Sequence, residues 1–366
     1  MGDSIGSALR LTLFGESHGP CVGAVLDGLA AGIAPDMSLL CAMMDKRRAK
    51  GAISTARHEA DAVRFLSGLY NGHTTGTALC LAIDNANTKS GDYAKTEQLL
   101  RPGHADYTAL IKYGGFADAR GGGHFSGRLT APLVAAGAIC TQLLAAKGVT
   151  VATHIAACAG IADAPFATDV AALQLQAEAL NQADFAVLDS AKGDAMQKAI
   201  EAAAKDGDSV GGVLETVILG AEKGLGEPFF VSIESTLAAL LFSIPAVKGV
   251  EFGAGFAFAG MRGSEANDAF CMQNGDIATE TNHNGGINGG IANGMPIIVR
   301  TVVKPTPSIY KPQSTVDFAR KAGASLAIQG RHDPCILHRA RVVQDAMCAF
   351  GLADLYTVLH GKAWMV

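Results

Sequence analysis

Charged residues are scarce in this sequence, 17% of 366 residues against roughly 25% in an average soluble protein. So little charge beside an apolar content of 49% excludes a disordered chain and leaves ample material for a core. The eight cysteines (21, 41, 80, 140, 158, 271, 335 and 348) include no CxxC pair. That excludes a zinc framework and, in a chain this long, a disulfide scaffold; they read as buried free thiols in a reducing compartment. No metal site is expected. The N-terminal residues lack a basic stretch followed by an apolar one, so no secretory signal is read. A net charge of −5 argues against nucleic acid as a partner, and any anion site must be local. The uncharged run 129–146 approaches the length of a membrane span. Pro132, Thr141, Gln142 and many alanines weaken its hydrophobicity, so it reads as a buried central helix. The expectation is a soluble, cytoplasmic protein without membrane contact.

What the chain has in excess is glycine: 44 residues, neither periodic nor clustered with proline, which removes collagen-like and linker readings. Leu9, Leu11 and Leu13 alternate with Arg10 and Thr12, predicting a strand. GESHG (15–19) is the loop after it, and 21–29 reads as a second strand. Asp36 is placed to cap a helix with Leu39, Leu40, Met43 and Met44 on one stripe. Strands are predicted at 78–84, 213–220 and 296–303. Helices are predicted at 129–146, 169–181, 190–205 and 335–350. Strands come in adjacent pairs without βαβ alternation, which favours an α+β fold with antiparallel sheets. No proline- or serine-rich linker divides the chain, so one domain over 1–366 is expected.

Several segments could carry chemistry. Arg47 falls near the centre of the apolar stripe, with Lys46 and Arg48 at its margins. It either complements the negative end of its helix or waits for an anion. RPGHAD (101–106) and DARGGGHFSGR (118–128) bring Arg101, His104, Arg120, Ser126 and Arg128 together with a glycine triplet, just ahead of the buried helix. Close backbone approach, guanidinium forks and a helix N-terminus all suit phosphate or carboxylate. The bland alternative is a surface turn with solvated arginines. GESHG matches the G-x-S-x-G of serine hydrolases, but only 14 residues precede it and a strand, not a helix, follows. KPTPSIYKP (304–312) is a proline-stiffened loop carrying Lys304, Thr306 and Ser308. RHDPC (331–335) sets Arg331 and Asp333 before a helix, where Asp333 would by default be an N-cap. Neither a Walker A nor a complete dinucleotide fingerprint is present.

In order along the chain, GESHGP, LSGLYNGHTTG (66–76), RPGHADYTALIKYG (101–114), GDSVGG (207–212), IPAVKGVEFGAGF (244–256), NGGINGGIANG (284–294) and KPTPSI (304–309) resemble the chorismate synthase family. The resemblance implies a homotetramer of β-α-β sandwich subunits with antiparallel sheets flanking buried helices. It implies reduced FMN as cofactor and conversion of 5-enolpyruvylshikimate 3-phosphate to chorismate and phosphate, the last step of the shikimate pathway. This is a 1,4-elimination without net redox change. NADPH is a candidate reductant for the flavin, although the lack of a nicotinamide fingerprint favours an outside source.

The same resemblance assigns roles. His18 would meet the departing phosphate, His104 would support the reduced flavin, and Asp333 would act in removing the C6 proton. Ser17 and Ser126 would orient these groups. Arg47, Arg48, Arg57, Arg128 and Arg331 would neutralise substrate phosphate and carboxylates. Flavin contacts would come from His124, Phe125, Ser126, Pro245, Ala246, Gly289, Lys304, Pro305, Thr306, Pro307, Ser308 and Arg331. Three departures stand out. HFSGRL (124–129) replaces the usual Arg-Ser-Ser-Ala-Arg-Glu, so His124 stands where the family has arginine. Only Lys50 lies between Arg48 and Arg57, where many members have another arginine. His338 and Arg341 replace prolines, and Asp345 replaces a glutamate. The competing readings are a non-catalytic FMN- or phosphoester-binding protein and a hydrolase using Ser17.

Overall fold

The computed structural model describes residues 2–51, 53–54, 61–85, 98–273, 275–328, 330 and 332–366. Two five-stranded antiparallel sheets enclose two central helices, and the second sheet is covered on its far face by the helix Val170–Gln182. The first runs Ser4–Ile5, Arg10–Gly15, Cys21–Asp27, Leu79–Asp84, Val63–Ser67 across the sheet. The second runs Val247–Phe252, Ile297–Val303, Gly212–Leu219, Thr150–Cys158, Ile161–Ala162. Between them lie the helix Thr130–Ala145, packed on the first sheet, and the helix Leu337–His360, packed on the second and on its fellow helix. This is the α+β sandwich that the sequence led us to expect.

The two central helices are long and apolar enough to cross a membrane by length and composition, yet 83% and 89% of their apolar windows are buried inside the protein. They cross closely because Gly137 has no side chain; a Cβ there would lie 2.4 Å from that of Ala346. Nothing but glycine fits at that crossing. Asp36 caps Met37–Arg47 as predicted, accepting from the backbone N–H groups of Ser38 and Leu39. The helices predicted near 169–181 and 190–205 are Val170–Gln182 and Ser190–Lys205.

Three expectations need correcting. The final helix does not stop near 350 but runs to His360, because Gly351 is tolerated where it lets Leu237 and Leu240 pack close. The helix Ile233–Ser243, capped by Ser232, was not read from the sequence at all. The cysteines are all free, but only Cys140, Cys158, Cys335 and Cys348 are buried, and Cys41 is exposed.

The ends of the structure are tied together. Asp354, on the last helix, accepts the backbone N–H groups of Ser7, Ala8 and Leu9, each at 2.8 Å. One buried carboxylate thus satisfies three donors that precede the first long strand.

Candidate active site

A cavity of about 340 Å³ opens where the end of Met37–Arg47, the start of Thr130–Ala145, the 244–246 segment, the 306–307 loop and the entry to the last helix converge. Arg47, Arg128, Arg339 and Asp333 supply its charge; Ser126, Thr130, Thr306 and His332 supply polar atoms. Ile244, Pro245, Ala246, Pro307, Ile336, Ala340 and Val343 form an apolar wall. Ala246 holds φ +75°, an unusual backbone for a residue with a side chain, of the kind that gathers at functional sites.

Arg47 sits where its stripe position predicted, 4% exposed, and the anion it faces within the chain is Asp61. Burial pulls the Arg47 guanidinium down from its usual value, while Asp61 pushes it back up. Arg128 donates to Asp61, to Asn85 Oδ1 at 3.1 Å and to the Asp84 carbonyl at 3.2 Å. Asn85 also donates to the carbonyls of Glu16 and Gly19, both at 2.9 Å, so it joins the GESHG loop to the pocket wall.

Asp333 is not the helix cap. The capping position is Ile336, which has no side-chain cap bond, and Asp333 instead pairs with Arg339 at 2.6 Å. Arg339 Nε also reaches the Arg47 carbonyl at 2.9 Å. Arg339, Asp61 and Asn85 went unread in the sequence. The six-residue separation of Asp333 and Arg339 falls outside the i, i+3 and i, i+4 pairings that a helix face reveals, so no local spacing marked the pair.

Ser17 and His18 lie behind the glycine triplet. A Cβ on Gly121 would stand 2.1 Å from His18 Cε1 and 3.0 Å from Ser17 Oγ, and Gly121 holds φ +61°. The triplet therefore makes room for a histidine. Ser17 falls between the strands Arg10–Gly15 and Cys21–Asp27 with no helix after it, so the nucleophile elbow of a hydrolase is not built. Ser126 Oγ accepts from Arg128 N and caps the turn Gly127–Leu129.

His104 lies outside the lining but against its wall. Nδ1 donates to the Pro102 carbonyl at 3.0 Å, so Nε2 accepts from Ser308 Oγ at 2.8 Å. Burial, then Arg101, lowers its pKa and keeps the ring neutral. Lys304 Nζ donates to the Gly103 carbonyl at 2.7 Å, tying the same two loops. The GDSVGG turn holds the other side: Ser209 Oγ donates to the Thr306 carbonyl at 2.6 Å, and Val210 N to the Pro334 carbonyl at 2.9 Å.

Other expected residues are placed elsewhere. Arg101 is locked onto Asp106 and Arg120 onto Asp118, so of the clustered arginines only Arg128 lines the cavity. Arg48 pairs with Asp45, and Lys50 with Asp45 and Asp184. The His124 ring turns away, Nδ1 donating to the Gly15 carbonyl at 2.8 Å and Nε2 lying 3.3 Å from Asp3. Phe125 is exposed beside Tyr113. Pro305 lies in the loop next to the lining, and Gly289 in an exposed hairpin turn away from it. Arg57 and Arg331 lie outside the described residues.

The cavity suits an anionic ring. Arg47 Nε and Thr306 Oγ1 are buried donors without a partner among the described residues, and the apolar wall suits a flat face. These residues fit both a phosphorylated carboxylate and the polar edge of a flavin. Comparison with known proteins narrows the choice. The chain is 46% identical over 357 residues to the chorismate synthase of Dehalococcoides mccartyi, covering 97% of this chain and 96% of that one. It is 45% identical over 360 residues to that of Thermococcus gammatolerans, covering 98% of each. A crystal structure of chorismate synthase superposes with a TM-score of 0.75 at 26% identity, over 98% of this chain and 94% of the other. The family's sequence model, described as chorismate synthase, matches residues 9–357; the chain belongs to the chorismate synthase family of carbon–oxygen lyases.

Proposed function

We propose that the cavity is where 5-enolpyruvylshikimate 3-phosphate loses phosphate and a proton to give chorismate. The observation that carries this reading is the convergence of Arg47, Arg128 and Arg339 with one carboxylate, Asp333, on a single cavity. Three guanidinium groups suit a substrate bearing a phosphate and carboxylates. Arg47 and Arg339 bind and orient it. Asp333, aimed by Arg339, takes up the proton from C6 as the C3–O bond breaks. His18 supplies a proton or positive charge to the phosphate, which leaves with the bonding electrons. Neutral His104, held by Ser308, is suited to accept or donate a hydrogen bond at the cofactor's edge. Reduced FMN, when bound, supplies an electron-rich ring that lends charge during the elimination and takes it back. Thr306, Pro245 and Ala246 would hold it, with Ser126 at its rim. The flavin is reduced by an outside donor, with NADPH the candidate to test.

We place the enzyme in the cytoplasm as a homotetramer. The exposed side chains of Phe229, Phe230, Phe256, Phe270 and Met272 offer apolar surface suited to subunit contacts. The deciding experiment is an anaerobic assay with dithionite-reduced FMN and the phosphorylated substrate, following chorismate. Phosphate release without chorismate would overturn the proposed reaction.

A further inference from the structure

Asp61 is the feature of the site that neither the sequence reading nor the proposed reaction uses. Its side chain is fully buried, and its two oxygens go to different guanidinium groups, Oδ2 to Arg47 and Oδ1 to Arg128. The arginine side chains are themselves 5% and 4% exposed. Two cations this close and this dry repel each other and pay heavily for lost water, so a shared carboxylate is what lets them coexist. The backbone of Asp61 holds φ +49°, a conformation that Asp tolerates better than most side chains.

The two arginines are left in different states. Arg128 spends Nε on Asn85, Nη1 on Asp61 and Nη2 on the Asp84 carbonyl, so it is a strut. Arg47 spends Nη2 on Asp61, while Nη1 has only a 3.5 Å contact with Thr130 Oγ1 and Nε is buried with no partner among the described residues. Arg47 therefore has donors to offer a ligand. Asp61 fixes the plane in which they are offered.

We infer that Asp61 is a positioning residue for substrate binding: it anchors the Arg47 guanidinium against the Arg128 strut so that the remaining Arg47 N–H groups face the anionic substrate. This rests on the cavity being the substrate site. A carboxylate is required, because an amide accepts from one guanidinium but turns an N–H₂ donor toward the other. The role belongs to binding and not to the chemical step, so it should appear in KM with little change in kcat.

The test uses the full-length enzyme with reduced FMN, together with calorimetric titration of the phosphorylated substrate. Asp61→Asn should raise KM and the calorimetric Kd about tenfold or more, leave kcat within about threefold, and leave flavin affinity unchanged. Its effect should not add to that of Arg47→Ala, because the two act as one unit. Should Asp61→Asn fail to fold, Asp61→Glu keeps the charge but displaces both guanidinium groups, and KM should rise about threefold or more. Unchanged KM and Kd would overturn the inference. A lower KM would overturn it too, since it would mean that Asp61 competes with substrate for the arginines. If Arg47→Ala itself leaves KM and Kd unchanged, the reading of the cavity as the substrate site fails instead.

Discussion

Asp333 and Arg339 form a 2.6 Å ion pair at the entrance of the last helix, and the arginine reaches on to the Arg47 carbonyl. The pair joins the proposed proton acceptor to the helix end that carries the main substrate cation. Because the N-cap position of the last helix is Ile336 and not Asp333, Asp333→Asn removes an ionisable group and weakens the partly buried pair with Arg339 without unwinding a helix. Melting should stay within a few degrees of wild type with flavin bound. Turnover should fall by about 10² or more, in line with loss of a general base, and the C6 deuterium isotope effect should grow. A fully active Asp333→Asn enzyme would remove the carboxylate from the mechanism.

Gly121 and His18 offer a paired test. His18→Ala should lower kcat by about 10²–10⁴ while flavin still binds. Gly121→Ala leaves the histidine in the sequence but builds a methyl group 2.1 Å from its ring, and its positive φ disfavours any side chain. Activity should fall in the same direction in both variants. If Gly121→Ala turns over like wild type, the ring position seen here is not the one that matters.

Ser209 lies outside the cavity lining, yet its Oγ donates to the Thr306 carbonyl at 2.6 Å. Loss of one such bond is worth about 1 kcal/mol. Ser209→Ala should therefore weaken flavin binding about fivefold, read by fluorescence titration, with a small change in melting temperature. Unaltered flavin affinity would show that the 304–308 loop is rigid without it.

The last helix predicts a pH effect that is hidden in the wild-type protein. Burial raises the Asp345 carboxyl to about 6, against the pull of Arg341 and Thr153. Its contribution to stability is complete below about pH 4 and lost as pH rises through about 6. Burial lowers His338 to about 4. Its contribution is present above about pH 6.5 and lost as pH falls toward 4. The two oppose each other over one window. In urea unfolding from pH 7 to 4, Asp345→Asn should lose stability on acidification more steeply than wild type, and His338→Gln less steeply. Three parallel profiles would refute both assignments.

Much of this was legible locally and little of it at long range. The Leu9–Leu13 alternation, the Asp36 cap and the run at 129–146 declare themselves within a dozen residues. The far half of the last helix does not, because an element buried on all sides has no polar face to mark its period. Ile233–Ser243 buries only Ile233, Leu237, Leu240 and Leu241, but Ala239 and Phe242 on its exposed face hide that period. In the site, the stripe showed Arg47 buried but could not show Asp61, 14 residues away. Arg101 and Arg120 looked like ligand groups because arginines beside glycine suggest anion binding. Their acids, Asp106 and Asp118, sit five and two positions away and settle the matter differently. The seven family segments marked the neighbourhood of the pocket without showing which side chains face into it.

The central helix Leu337–His360 is synthesised after both sheets and after its fellow helix Thr130–Ala145. Until it emerges, the first sheet and Thr130–Ala145 stand complete but open on one side, and the inner face of the second sheet lacks its main helical partner. The Ser7–Leu9 amides wait for Asp354, more than three hundred residues downstream. A nascent chain stalled before this point should display a broad apolar face and bind chaperones. Emergence of Leu337–His360 should close both layers and the pocket mouth in a single step.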